Sequence, residues 1–457
     1  MNMRKSVIVI TLLLASAFAG RAQQKATFTY GADFQYYFDN REYDGAGNKF
    51  ETSGTVHAAR LTPTVGVKVA GGRFTHQLTL GIDVMKNMGE APVSESDKDL
   101  QNIGLFREMT FWYGLESRRR SGKFNLLAGI FPRGNSVFGS GYQGWAEDPV
   151  KADQVPSLFI SDVNQFYDNN IEGLLLKYET RKGYCEAGLD WMGMIGHGRR
   201  ERFQIFTYGN YALAGDFLRA GWTATMYHFA NTLEYRGVVD NILVSPFVSL
   251  TAGRRDFRWN SKLSYIQGIH QDRINETWLE PAFGGLLTLN LAYKKLGVQN
   301  DSYYGTGQMP YYFTIDGGGN MLGQDLYAGS PFYRVCDYGG NWKHSGFYDR
   351  AEIYWQPYIA DFVRLRLSAV FHFTGDGFQG SQQKLSVLFD LGRALNSRKT
   401  AKASGGSRRQ RNFEIYLLRY ENNIQVYHCR RFRRISVGRM RFRSQGRGIC
   451  HPASYHE

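Results

Sequence analysis

The chain has 457 residues, 55 Lys+Arg against 41 Asp+Glu, and a formal net charge of +14. From Arg393 onward it carries 16 Lys+Arg and only three acids, Glu414, Glu421 and Glu457, so the first 392 residues are close to neutral. That split excludes a nucleic-acid-binding body, and four cysteines without CxxC spacing are too few for a disulfide scaffold or a zinc site.

The N-terminus reads MNMRKSVIVITLLLASAFAGRAQQ. Arg4 and Lys5 precede an apolar run from Val7 to Ala19, and Gly20 and Ala22 place small residues at the −3 and −1 positions. This predicts a cleaved export signal over residues 1–22. A run of 13 residues is too short to cross a hydrocarbon core of about 30 Å. No later run of 18 apolar residues follows, while Gly (52) and aromatics (15%) are abundant.

The body has period two. In TFTYGADFQYYF, Phe28, Tyr30, Ala32, Phe34, Tyr36 and Phe38 share one face, and Thr27, Thr29, Gly31, Asp33, Gln35 and Tyr37 the other. Leu61, Val65, Val67 and Val69 alternate with Thr62, Thr64 and Lys68. Phe74, Leu78, Leu80, Ile82 and Val84 alternate with Thr75, Gln77, Thr79 and Asp83. Near the end of the body, Val363, Leu365, Leu367, Ala369, Phe371 and Phe373 oppose Arg364, Arg366, Ser368 and His372; KLSVLFDL repeats the pattern. Runs of about 9–12 residues suit strands tilted across a bilayer, whereas strands of soluble proteins average about 5–6. Charges on the polar face throughout fit an interior that is polar and an exterior that is apolar.

Connections alternate short and long. Short turns are predicted near 70–73, 118–122, 180–183, 212–216, 252–255, 294–297 and 359–361, and long loops near 39–56, 87–106, 134–170, 195–201, 230–240, 268–282, 305–346 and 375–382. The expected fold is therefore all-β: a transmembrane antiparallel up-and-down barrel over residues 23–392, with 16 strands (range 14–18), long external loops and short periplasmic turns. The least regular strands are those around Pro246 and at 298–304. Aromatic strand ends at Tyr36-Tyr37-Phe38, Phe229, Tyr303-Tyr304 and Phe371–Phe373 suggest an interfacial girdle.

Residues 129–211 carry a more specific pattern: GIFPRGNSVFGSGY, then FYDNNIEGLLLKYE, EAGLDW and RERFQI. It resembles the porin-like outer-membrane β-barrels of Bacteroidota-type bacteria. The matching positions are Gly129, Phe131, Pro132, Arg133, Tyr167, Asp168, Asn170, Glu172, Gly173, Leu174, Leu175, Tyr178, Glu186, Asp190, Trp191, Arg200, Glu201, Phe203 and Ile205. The resemblance implies a compartment, the cell outer membrane, and a fold, but no defined substrate.

Parity turns Asp33, Asp83, Glu108, Glu116, Lys177, Glu179, Glu186, Asp190, Arg219, Arg258, Lys262, Glu352, Arg364, Arg366 and Asp390 toward the lumen, where they line a solute path or salt-bridge a filled interior. The loop from Gly134 to Asn170 is long and apolar for a surface loop, with Phe138, Trp145, Leu158, Phe159 and Phe166. Part of it is expected to fold into the lumen and narrow it; the alternative is an external cap that packs on neighbouring loops. Its Glu147, Asp148, Asp153 and Asp162, offset by Arg133 and Lys151, would bias a constriction toward cations.

No catalytic motif appears: GxSxG and HExxH are absent, and DGGGNMLGQD lacks the Lys-Ser/Thr of a phosphate cradle. No enzyme activity, metal or cofactor is expected. The expected function is a porin passing small hydrophilic solutes; the alternative is a non-conducting barrel acting as receptor, adhesin or assembly partner. Expected partners are outer-membrane lipids, such solutes and the barrel-assembly machinery, with no nucleic acid. The basic tail, residues 393–457, shows neither strand alternation nor a helical stripe; it reads as a non-native extension, such as a shifted reading frame, or as a basic periplasmic tail.

Overall fold

The computed structural model describes residues 26–43, 50–88, 106–140, 154–254, 256–273, 279–316, 318–319, 322–335 and 343–392. The export signal and the basic tail lie outside the described residues, as do Glu147, Asp148, Lys151 and Asp153.

The first strands are β1 (Ala26–Glu42), β2 (Gly54–Gly71), β3 (Phe74–Asn87), β4 (Phe106–Arg119), β5 (Gly122–Pro132), β6 (Asn170–Glu179), β7 (Gly183–Gly193) and β8 (Arg202–Ala214). They continue as β9 (Leu218–Phe229), β10 (Val239–Arg254), β11 (Phe257–Asp272), β12 (Glu280–Tyr293), β13 (Leu296–Thr306), β14 (Ser345–Trp355), β15 (Tyr358–Ala360), β16 (Val363–Thr374) and β17 (Gly377–Asp390). Each pairs antiparallel with its neighbour in sequence, and β17 returns to β1 with Phe34 opposite Phe389. The short β15 pairs with β16, as β14 does, so the two form one stave. The result is a closed barrel of 16 staves.

Alternation explains the closure. On β1, Gln35, Tyr37 and Asp39 are buried, while Phe28 and Tyr30 are exposed. On β3, Thr79, Asp83 and Met85 are buried and Leu80 and Ile82 exposed. On β16, Arg366, Ser368, Val370 and His372 are buried and Leu367 and Phe373 exposed. Closure leaves no free sheet edge, so every strand's backbone groups find partners inside the molecule.

Pro132 and Pro281 lie at strand ends, and Pro63 and Pro246 in strand interiors. At Pro63 the β2–β3 ladder skips from Leu61↔Val84 to Thr64↔Gly81, and at Pro246 the β10–β11 ladder skips from Val244↔Gln267 to Phe247↔Ser264. In both places the register resumes unchanged. A missing N–H removes local bonds without shifting the strand, which is why Pro246 does not interrupt β10.

The long-loop end is shorter than the pattern suggests at two hairpins. Strand β11 extends to Asp272, and only Gly375 and Asp376 separate β16 from β17. The aromatic doublets also divide between faces. Tyr304 is 64% exposed and Tyr303 0%, and Tyr37 and Phe229 are buried inside. Neighbouring strand residues point to opposite faces, so only one member of each doublet can join an exterior girdle.

Candidate functional site in the barrel lumen

The interior is filled at the long-loop end by the chain itself. The described parts of the first inserted segment are residues 133–140, with α1 (Val137–Ser140), and 154–169, with α2 (Asp162–Tyr167). Ser161 caps α2, its hydroxyl accepting from the Asn164 N–H at 3.2 Å. The segment touches inward side chains around the barrel. Phe138 packs on Phe206 of β8 with ring centroids 4.7 Å apart, and Phe166 on Tyr37 of β1 at the same spacing. Lys262 of β11 donates to the Gln154 carbonyl at 2.6 Å, Arg60 of β2 to the Phe166 carbonyl at 2.6 Å, and Lys384 of β17 pairs with Asp162. A segment packed on β8 and bonded to β2, β11 and β17 crosses the lumen.

A second inserted segment follows β13. Its Phe332 stacks on His372 of β16 at 4.4 Å and on Tyr348 of β14 at 5.3 Å, and Tyr333 meets Tyr303 of β13 edge-on at 5.4 Å. Tyr227 of β9 donates to the Asp325 carbonyl at 3.0 Å, and Asn241 of β10 to the Leu326 carbonyl at 2.6 Å. The two segments bond to each other, Ser161 N–H to the Ala328 carbonyl at 2.7 Å and Ser330 N–H to the Ser157 carbonyl at 2.8 Å. Phe138, Leu158, Phe159 and Ile160 of the first segment and Phe332 and Tyr333 of the second join the wall's aromatics in one buried cluster, with two smaller clusters beside it.

The sequence pattern at 129–211 is the anchor of the first segment. Gly129 lies within β5 at φ +125°, and a Cβ there would fall 2.3 Å from the Phe111 carbonyl oxygen, so only glycine fits. Arg133, 1% exposed, donates to the carbonyls of Asp168 (2.7 Å) and Asn170 (3.0 Å) and pairs with the carboxylates of Asp190 (2.6 Å) and Asp168 (3.1 Å). One guanidinium thus ties both ends of the segment to β7. Burial raises the Asp168 carboxyl above its ordinary value, and the Arg133 charge opposes that. Glu186 of β7 accepts from Ser136 Oγ at 2.5 Å and from the Val137 N–H at 3.0 Å, and also from Tyr184. Asn170 donates to Asp83 at 3.0 Å and to Glu108, and Asp83 pairs with Arg60 at 3.2 Å.

The other charged candidates fall in two groups. On the wall formed by β14 and β16, Glu352 accepts from Arg366 Nη2 at 2.7 Å and from Arg350 at 2.8 Å, all three buried. Glu116, Lys177, Glu179, Arg219, Arg258 and Arg364 sit beside the short turns; Glu116 pairs with Arg118 and Lys123, Lys177 donates to the Asn135 carbonyl at 2.7 Å and Arg219 to Asn210 at 2.6 Å. Asp33 lies opposite Asp390 in the β1–β17 register and is exposed. Arg60, Asp39, Arg350 and Lys384 are buried charges that the sequence reading passed over. Each shares parity with a residue that alternation turns inward: Asp39 with Asp33, Arg60 with Thr62, Arg350 with Glu352, Lys384 with Asp390. Among the described residues no His/Cys/Asp/Glu group could hold a metal ion.

The exterior is apolar on strand after strand, with exposed Val65, Leu80, Phe111, Ile205, Leu263, Phe283 and Leu367. A belt of this extent far exceeds the few hundred Å² of contiguous apolar surface that a soluble monomer shows. Lipid is the solvent that fits it, and a closed antiparallel barrel satisfies its backbone there. The protein is an outer-membrane β-barrel. No protein-family profile and no curated protein matches the chain. Solved structures that resemble it include OmpT of Vibrio cholerae (10% identity, 80% of this chain and 97% of that one, TM-score 0.45). OprB of Pseudomonas putida aligns at 10% identity over 79% of this chain and 94% of its own, with TM-score 0.43. The porin of Rhodopseudomonas blastica aligns at 10% identity over 80% and 100%, with TM-score 0.39.

Proposed function

We propose that this barrel is a porin narrowed by its own inserted segments, passing small hydrophilic solutes with weak selectivity. The observation that carries this reading is the Arg133 anchor, which holds a lumen-crossing segment at both ends. A constriction of fixed shape needs such an anchor; a loose loop would not set a size limit. The pattern that supplies it is also the one that resembles the porin-like barrels of Bacteroidota-type bacteria, and this likeness supports membership of that group. Selectivity is weak because the lumen charges are largely paired. Asp162, expected to favour cations, is matched by Lys384 and faces Arg350 at 3.9 Å.

The continuous apolar cluster that joins both segments to the wall favours a second reading, a barrel that does not conduct and serves as a surface receptor or assembly partner. Planar-bilayer recording of the purified protein decides between them. Small, discrete conductance steps support the narrowed porin; a folded barrel that gives none at any voltage sinks it.

A further inference from the structure

Charge is sorted along the barrel. The seven short turns with their strand ends, residues 71–74, 116–123, 179–183, 214–219, 253–258, 293–296 and 356–364, hold 14 Lys or Arg against five Asp or Glu, a net of +9. The first 392 residues are close to neutral, so the rest of the body carries an excess of acid. Among the described residues, nine of these turn cations are exposed, and the densest run is Arg118, Arg119 and Arg120 on the β4–β5 hairpin. Its neighbours join it. The Arg118 N–H donates to the Arg73 carbonyl of the β2–β3 turn at 3.3 Å, and Lys123 lies opposite Glu179, next to Arg181 and Lys182 of the β6–β7 turn. Three consecutive turns thus present seven cations and two carboxylates, Glu116 and Glu179. Glu116 is already taken by Arg118 and Lys123.

The depth of this rim follows from its rings. An exposed aromatic side chain flanks each of the seven turns, Phe74, Phe124, Tyr178, Phe257 and Tyr293 among them. Such rings mark the headgroup level of a bilayer. A cation often stands next to the ring in the chain, as in Arg73-Phe74, Lys123-Phe124 and Tyr293-Lys294, where Lys294 Nζ lies 5.3 Å from the ring centroid. The cations are therefore at phosphate depth around the rim. The turns are also too short to reach far from the membrane: Gly72-Arg73 and Arg120-Ser121 are two-residue tips. This placement favours a lipid phosphate over a cell-wall polymer beyond the bilayer.

We propose that the short-turn rim binds the headgroups of anionic phospholipids in the leaflet it meets, most tightly at the β2–β3, β4–β5 and β6–β7 turns. Guanidinium groups match phosphate oxygens with paired N–H donors. A net-negative headgroup gains the full attraction of the rim, whereas a zwitterionic one brings its own cation and gains less. The contact goes beyond the porin reading and holds for a conducting or a closed barrel alike.

The test uses the full chain folded into phosphatidylcholine vesicles, with spin-labelled phosphatidylglycerol and spin-labelled phosphatidylcholine as probes. The immobilised fraction of each label gives its relative association with the barrel. The variant Arg119→Gln, Arg120→Gln, Arg181→Gln, Lys182→Gln removes four exposed cations, and its heat-modifiable gel shift is checked first. The parent should favour phosphatidylglycerol severalfold, and the preference should fade at about 1 M salt, where the Debye length is about 3 Å. The variant should lose most of the preference while holding phosphatidylcholine as the parent does. A parent without preference overturns the proposal, and so does a folded variant that keeps the parent's preference. Equal loss of both labels also overturns it, because that marks an apolar contact. If the variant instead loses only co-sedimentation with isolated cell-wall sacculi, the rim belongs to the cell wall and the lipid proposal falls.

Discussion

Gly329 lies so close to Leu158 that a Cβ at 329 would fall 1.9 Å from the Leu158 carbonyl oxygen. This is where the two inserted segments meet, backbone to backbone. Gly329→Val should push them apart, since overpacking a close contact costs about 1–3 kcal/mol. The barrel wall does not depend on that contact, so the strain falls on the segments. Single-channel conductance should rise, or flicker to larger levels, while the heat-modifiable gel shift persists. A folded variant with the parent's conductance would show that the contact does not limit the pore.

The barrel was legible because alternation is a local signal repeated on every strand. Residues such as Leu80 and Asp83, or Leu367 and Arg366, declare their faces within a few positions of one another. The anchor was not legible in the same way. Arg133, Asp168 and Asp190 form a recognisable pattern, but their convergence depends on β5, β6 and β7 pairing and on the segment turning inward. The second inserted segment left still less trace. Phe332 and Tyr333 follow a Gly-rich stretch with no periodicity, and only the rings of Tyr303, Tyr348 and His372 show why they are buried.

Glu352 stands between two cations, Arg350 and Arg366, and all three are buried. Glu352→Gln leaves Arg366 without its carboxylate and Arg350 with only the more distant Asp162, at 3.9 Å. Breaking a buried pair in this way costs about 3–5 kcal/mol, so urea unfolding in detergent micelles should begin at lower concentration. The uncompensated positive charge should also move the reversal potential in a salt gradient toward anions. A stable variant with the parent's reversal potential would mean that this trio is hydrated and remote from the ion path.

The link between Asp162 and Lys384 gives a pH dependence. Burial alone would raise the Asp162 carboxyl, but Lys384 and then Arg350 overcome it and hold the group below its ordinary value of 3.8. A depressed carboxyl stabilises the inserted state fully above 3.8, and that contribution disappears as pH falls through the lower folded value. Conductance should therefore be level from neutral pH down to about 4 and rise in stronger acid as α2 comes free. Asp162→Asn should show the acid behaviour already at pH 7. An Asp162→Asn channel that matches the parent at pH 7 would rule out the ion pair as a holding contact.

Asp349 is a carboxylate on the lipid-facing side of β14, between Phe347 and Ala351. Its Oδ atoms accept from Asn300 at 3.0 Å and from Ser302 at 2.5 Å, both on the outer face of β13. The three groups satisfy one another within an otherwise apolar belt, as hydrocarbon requires. Removing one member should therefore hurt more than removing all. Asp349→Leu takes the shared acceptor from the Asn300 amide and the Ser302 hydroxyl, which keep only each other at 2.8 Å and the Arg350 carbonyl at 3.5 Å, at about 1–3 kcal/mol for groups that lose a partner. The triple replacement Asn300→Leu, Ser302→Val, Asp349→Leu leaves no polar group behind and should return stability to the parent's level or above it, as apolar substitution of buried polar clusters often does. Reversible urea unfolding in lipid vesicles gives the comparison directly. If the triple variant is less stable than Asp349→Leu alone, the cluster contributes net stability, and the cost of its burial is met by something other than mutual hydrogen bonding.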